Sequence, residues 1–315
     1  MAQESGIAPS RQRAFLGPYP PAPRADTDHI DRKVLDIAYA SLSPAQRLDV
    51  YLPDEGDGPF PVIVSIHGGA FMQCDKADGQ VMPMLEGLQR GYAVVAVNYR
   101  LSSEATFPAQ IHDVKAAVRW IRAEAGRYGF DPGRIAAWGG SAGAYLATML
   151  GVTSAVEQLD DPSLGNPEQA SDVQCVVDWY GPTNFLKLDG WLNAAGLPPR
   201  PGMEHNARHS PESLLLGEQI TTVPDRVRAA NPETYVTSDT PPFLIQHGTS
   251  DSVIPTQCSV HLAARIAQVA GSETVQLDLI EGADHLDPLF ETKRNLRGVL
   301  DFLDAHLKRA SPIQR

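Results

Sequence analysis

Apolar runs with no polar phase alternate along the chain with stretches whose apolar residues recur at helical spacing. PVIVSI (61–66) and YAVVAVNY (92–99) are continuous apolar runs and read as strands buried on both faces. Residues 78–90, between them, read as a helix stopped by Gly91. From Ala109 to Ala125, Ile111, Val114, Val118 and Ile121 repeat at helical spacing, with Pro108 where a first turn tolerates proline. Ile135 to Trp138 reads as a further buried strand and Ala144 to Leu150 as a buried helix. VQCVVDWY (173–180), PFLIQH (242–247) and TVQLDLI (274–280) are the next strands, with helices at 256–269 and from about 289 to 308.

Two alternating stretches, KVLDIAYA and QRLDVYL, precede all of these and flank Ser41 to Ala45, as expected of an antiparallel hairpin at a sheet edge. Strands and helices in this order specify an α/β fold: a mostly parallel, eight-stranded sheet covered by helices on both faces. Residues 186 to about 235 break the alternation. They carry prolines at 198, 199, 201, 211, 224 and 232 and the apolar residues Trp191, Leu192, Leu197 and Met203. So long an excursion suits a cap over a functional site, the alternative being an irregular surface loop. Residues 1 to about 28, rich in proline and polar residues, read as an N-terminal arm laid over the surface or partly mobile. The expected organisation is that arm followed by one catalytic domain over 29–315 with the cap inserted.

Composition narrows the partners. A net charge of −12 on 315 residues repels phosphate backbones and anionic lipid, which argues against nucleic-acid and membrane-surface roles. No stretch has the roughly 18 to 20 apolar residues of a membrane span, and the first residues lack an apolar signal-peptide core. A cytoplasmic protein is therefore expected. Cys74, Cys175 and Cys258 are an odd number without C-x-x-C spacing and read as thiols. No P-loop or dinucleotide fingerprint is present. Oligomeric state is not legible, and a homodimer stays open.

The candidate chemistry centres on Gly139-Gly140-Ser141-Ala142-Gly143, between the strand ending at Trp138 and the helix from Ala144. A strand, a sharp turn and a helix with serine at the apex strain the serine backbone and hold its hydroxyl above the sheet. A serine nucleophile needs a base to take its proton and a carboxylate to orient that base. His285, in EGADHLD, follows the TVQLDLI strand, and Asp251, in HGTSDSVIP, follows PFLIQH. The order Ser141, Asp251, His285, each at the carboxyl end of a strand, is that of a triad on this architecture. Asp178, in VVDWYGP, is the rival acid or else anchors a loop. HGGAF (67–71) follows the PVIVSI strand and offers an oxyanion hole: the N–H groups of Gly69 and Ala70 with that of Ala142, the loop shaped by Gly68. Phe71, Phe185 and Trp191 are candidates to line a substrate pocket, the aromatics of the cap serving alternatively as its own small core.

Other residues invite blander readings. His205 and His209 are four apart but lack the glutamate of H-E-x-x-H and a third ligand, so they read as solvent-facing or cap histidines and no metal is expected. Asp113 reads as structural, holding neighbouring loops by hydrogen bonds.

HGGAF, GGSAG, HGTSDSVIP and GADH, with NYRLSSEATFPAQIHD and SPESLLLG, resemble the α/β-hydrolase superfamily over about residues 34–308. The resemblance is to its bacterial carboxylesterase branch, the hormone-sensitive-lipase-like and feruloyl-esterase-like groups. It implies hydrolysis of a small-molecule carboxylic ester without metal or organic cofactor. Ala70 stands where many of these esterases have a third glycine, which leaves open how freely the loop accommodates bulky or tertiary alcohol groups. Short-chain or aryl esters are the expected substrates. Amide hydrolysis, as by an arylformamidase or a peptidase, and a non-catalytic ligand receptor on the same fold are the alternatives.

Overall fold

In the computed structural model, which describes residues 23–308, the apolar runs become one sheet. Its strands are β1 (Lys33–Ala38), β2 (Arg47–Tyr51), β3 (Phe60–Ile66), β4 (Ala93–Val97), β5 (Phe130–Gly140), β6 (Cys175–Trp179), β7 (Phe243–Gly248) and β8 (Val275–Ile280). They lie in the order β1-β2-β4-β3-β5-β6-β7-β8. The pairings β1 with β2 and β2 with β4 are antiparallel, and the rest are parallel. The α-helices are α1 (Met82–Leu85), α2 (Ala109–Ala123), α3 (Ala125–Tyr128), α4 (Ala142–Val152), α5 (Leu188–Ala194), α6 (Pro211–Leu216), α7 (Pro224–Ala229), α8 (Gln257–Ala270) and α9 (Lys293–Leu307).

Successive strand residues point to opposite faces, so each apolar run serves two cores. On β3, Val62, Val64 and Ile66 pack in one cluster with Val118 of α2, Leu146 of α4 and Leu262 of α8, while Ile63 joins Met84 of α1 and Leu303 of α9 on the other side. The same split divides Val95 from Val94 on β4 and Ala137 from Trp138 on β5. Burial of each large aliphatic residue stabilises by about 1.5–3 kcal/mol, which fixes the sheet between its helical layers.

The insertion between β6 and β7 does not form a core of its own. Leu188, Leu215, Leu216, Ile220 and Val227 are buried in the same cluster as α2, α4 and α8. Its helices are short because turn chemistry starts and stops them. Pro211 and Pro224 open α6 and α7, the Ser210 hydroxyl accepts from the Ser213 N–H at 3.1 Å, and Gly217 ends α6 in a left-handed conformation at φ 76°.

Two boundaries differ from expectation. Residues 78–90 are not one helix: 3-10 turns at Gly79–Val81 and Glu86–Arg90 flank α1. Pro83 lacks the N–H that a continuous helix would use there. β5 begins at Phe130 rather than near Ile135, because its first half is polar, partly exposed and paired at Phe60 with Phe130. Most of the expected N-terminal arm, residues 1–22, lies outside the described residues. The described remainder lies on the 75–79 loop, where the Ala25 N–H donates to Ala77 O at 2.8 Å.

Candidate active site

Small residues let α4 start against the sheet. A Cβ on Gly139 would stand 2.3 Å from the Gly143 carbonyl carbon, and one on Gly143 2.0 Å from Ile66 O, so neither position admits a side chain without moving backbone. Between them Ser141 has φ 57° and ψ −123°, a strained conformation for a residue with a Cβ. Its N–H donates to Trp179 O at 2.9 Å.

Ser141 Oγ lies 3.1 Å from His285 Nε2, and His285 Nδ1 lies 2.8 Å from Asp251 Oδ2. Because an ionised carboxylate only accepts, Nδ1 carries the hydrogen, and in the neutral ring Nε2 is left to accept from the serine hydroxyl. Asp251 is 1% exposed. Its Oδ1 accepts from the N–H groups of Val253 at 2.9 Å and Ile254 at 2.8 Å, while His247 Nε2 stands 3.3 Å from Oδ2. Burial alone would raise its pKa, but the charges and hydrogen bonds of His285 and His247 outweigh it and hold the carboxyl well below its ordinary range. The loops carrying the two residues are cross-linked: Asp284 Oδ1 accepts from the Ser252 N–H at 2.8 Å and the His285 N–H at 2.7 Å. The ring of Tyr180 packs edge-on against His285, centroids 4.8 Å apart.

Asp178 sits elsewhere in this arrangement. Its Oδ2 accepts from the Thr148 hydroxyl at 2.7 Å and its Oδ1 from the Gly181 N–H at 2.8 Å, ending the β6 strand in a closed turn. Burial pushes its carboxyl above the usual range. The carboxylate hydrogen-bonded to His285 is therefore that of Asp251.

The HGGAF loop turns through left-handed conformations at Gly69 (φ 106°), Ala70 (φ 56°) and Phe71 (φ 61°). A Cβ on Gly69 would meet Gln73 O at 2.3 Å. The Gly68 N–H donates to Gln80 Oε1 at 2.9 Å, so Gly68 is tied into the loop. Among the described residues no hydrogen bond takes up the N–H of Gly69 or Ala70, and Ala142, the first residue of α4, has an N–H the helix cannot use. His67 is buried, stacked on Tyr99 with centroids 4.5 Å apart, and its Nδ1 lies 2.8 Å from Gly68 O. Burial lowers its pKa and so favours the neutral ring.

The aromatic candidates separate. Phe71 and Phe185 are each 1% exposed and both pack on Tyr145, centroids 5.3 and 5.5 Å away. They brace the first turn of α4 and have almost no surface for a ligand. Trp191 is half-buried and stacks on His261 of α8, centroids 4.8 Å apart. Of the two expectations for this pair, solvent-facing or cap histidines, His205 is not solvent-facing but buried within the insertion, whereas His209 is exposed. Burial of His205 follows from its partner Glu212, which the H-x-x-x-H spacing does not reveal. Among the described residues no three His, Cys, Asp or Glu side chains are grouped to hold a metal ion. Asp113 is fully buried and receives the Arg100 guanidinium and the Gln46 amide. Sequence reasoning missed His247, although its motif contains Asp251 four residues on, and Gln80, for which no sequence signal exists.

The eight-stranded sheet, the elbow at Ser141 and the hydrogen-bonded Ser–His–Asp chain together define the α/β-hydrolase fold. A family model described as BD-FAE matches residues 48–266, and the chain belongs to that family. Among curated proteins it is similar to the probable carboxylic ester hydrolase LipM of Mycobacterium tuberculosis, 32% identical over 78% of this chain and 54% of LipM. Esterase LipQ of the same organism is 30% identical over 85% of this chain and 61% of LipQ. The chain thus spans between half and two thirds of the length of these relatives. Among solved structures, a truncated carbohydrate esterase from gut microbiota superposes with a TM-score of 0.79 at 28% identity, over 91% of this chain and all of that one. Among the described residues no helix is long and apolar enough to cross a membrane.

Proposed function

We propose that this chain is a serine carboxylesterase acting on short-chain or aryl esters of small molecules. The observation that carries the reading is the relay of 3.1 and 2.8 Å from Ser141 through His285 to Asp251. Ser141 Oγ attacks the ester carbonyl as its proton passes to His285 Nε2, and Asp251 holds the ring in the accepting tautomer and balances the imidazolium. The N–H groups of Gly69, Ala70 and Ala142 receive the oxyanion, with Gly68 shaping the loop through Gln80. Collapse expels the alcohol with the proton from His285, and water, activated by the same ring, releases the acid. The names of the relatives, a probable carboxylic ester hydrolase and a carbohydrate esterase, support an ester substrate.

Residues 186–235 act as a cap packed on the hydrolase core, and Trp191 is the aromatic of the three with surface to offer a substrate. A cytoplasmic site of action is part of the reading. The test is a fluorophosphonate probe followed by intact and peptide mass spectrometry, with an aryl ester panel and matching anilides. A single adduct on Ser141, lost in Ser141→Ala together with ester hydrolysis, is expected. An unlabelled Ser141, or anilides turned over faster than esters, would overturn the proposal.

A further inference from the structure

His205 lies in the insertion, 46 residues in sequence before Asp251, yet one of its ring nitrogens touches the turn that holds that carboxylate. His205 Nε2 is 2.9 Å from Val253 O, and His205 Nδ1 is 2.9 Å from Glu212 Oε1 of α6. A carbonyl oxygen can only accept, so Nε2 carries a hydrogen. Glu212 Oε1 belongs to a buried carboxylate whose other oxygen has no hydrogen-bond partner among the described residues. The 2.9 Å contact pairs that carboxylate with a ring whose raised pKa favours the imidazolium, which donates from Nδ1 as well. From α5, Asp189 accepts from the N–H groups of His205 at 2.8 Å and Asn206 at 2.9 Å, which fixes the backbone beneath the ring.

We propose that His205 is a positioning residue of this site, donating from both ring nitrogens so as to tie the insertion to the 251–254 turn and thereby aim Asp251 at His285. The proposal rests on the reading of Asp251 as the partner of the catalytic base. The path is continuous: His205 Nε2–H to Val253 O, Val253 N–H to Asp251 Oδ1, and Asp251 Oδ2 from His285 Nδ1. In the same turn His247 Nε2 meets Ile254 O at 2.9 Å, so the turn that carries the acid has one strut from the sheet and one from the insertion. Two acidic groups face His205, Glu212 from α6 and Asp189 from α5. Burial disfavours the imidazolium, but the charge and hydrogen bond of Glu212, with Asp189 behind it, push its pKa up to about 9.

The test is a double-mutant cycle on p-nitrophenyl acetate hydrolysis, with His205→Gln and Asp251→Asn singly and together. His205→Gln should lower kcat by about tenfold with KM changed less than about twofold. In the Asp251→Asn background the same change should cost less than about twofold, since its route of action is already lost. An equal loss in both backgrounds, or no loss in either, overturns the proposal. Wild-type kcat in Asp251→Asn alone would instead overturn the reading of Asp251, and is seen in that arm by itself. If His205→Gln does not fold, Glu212→Gln, which removes the charge and keeps the shape, is read in the same cycle. If neither folds, the ring nitrogens of His205 in the isotopically labelled native protein decide: two N–H groups at pH 7 are expected, and one overturns it.

Discussion

Asparagine at position 251 keeps the size of the side chain and removes one acceptor, and the structure says which one is lost. Asp251 Oδ1 accepts from two backbone N–H groups, those of Val253 and Ile254, and Oδ2 faces His285 Nδ1 and His247. The amide of Asp251→Asn keeps the two backbone bonds only with its oxygen at Oδ1, which turns its NH2 toward His285. That NH2 needs an acceptor, so the proton of His285 moves to Nε2, where it confronts the Ser141 hydroxyl and leaves it without a base. Wrong tautomer and lost charge together should lower kcat by about 10³–10⁴. Asp178→Asn is the control. There Oδ1 takes one N–H from Gly181, and the Thr148 hydroxyl at Oδ2 can rotate to accept from the new NH2. Its loss should be at most about tenfold, through packing alone. Steady-state kinetics of both variants on p-nitrophenyl acetate, with folding checked by circular dichroism, make the comparison. A large loss at Asp178 with a small one at Asp251 would transfer the acid to Asp178, and two small losses would remove the carboxylate from the mechanism.

Ala70→Gly relieves a left-handed conformation that costs a residue with a Cβ about 1–2 kcal/mol, against an entropic penalty of about 0.5–1 kcal/mol for glycine. Stability should therefore change by no more than about 1.5 kcal/mol while kcat/KM for tertiary-alcohol esters rises relative to ethyl esters; an unchanged ratio would show that Ala70 does not restrict the alcohol. Trp191→Ala should alter the ratio of kcat/KM for bulky and small esters by more than about threefold, and equal effects on both would confine the residue to its stack on His261. Stability should be greatest below about pH 6.5 as far as His205 is concerned and should fall as pH rises through about 9, because its folded pKa is raised above the ordinary histidine value. Tm between pH 7 and 10 should accordingly decline more steeply in the native protein than in Glu212→Gln, and parallel declines would contradict this linkage.

What was legible in the chain was what depends on neighbours in sequence. The run from Ile135 to Gly143 contains its own geometry, since a strand meeting a helix at glycine distance leaves the apex residue a single strained conformation. The parallel strands were legible because burial on both faces removes polar positions from them. The first half of β5 is illegible for the same reason: it is polar and, though paired with Phe60, looks like a loop. The helix expected over 78–90 breaks at Pro83, whose local effect outweighs the apolar spacing around it. The packing of the insertion was illegible for a different reason. Leu188, Leu215 and Ile220 belong to short helices without a sustained period, and what buries them is a sheet face built from distant strands. His205 is the extreme case, since its surroundings depend on residues 189, 212 and 253 arriving together.

That dependence bears on how the site keeps its aim. Ser141 is held by its own turn, so its position is local. Asp251 and His285 stand on separate loops after β7 and β8, and a relay of 2.8 and 3.1 Å between three elements requires those loops to be fixed relative to each other and to α4. The contacts that do this are the Ser252–Asp284 link between the loops, His247 from within β7 and His205 from the insertion. Tyr145 adds a fourth, donating its hydroxyl to Ala230 O at 2.7 Å and so fastening the first turns of α4 to the end of the insertion. None of these residues is a nucleophile, base or oxyanion donor. Because the insertion is joined to the acid turn on one side and to the elbow helix on the other, a change in its packing reaches both ends of the relay.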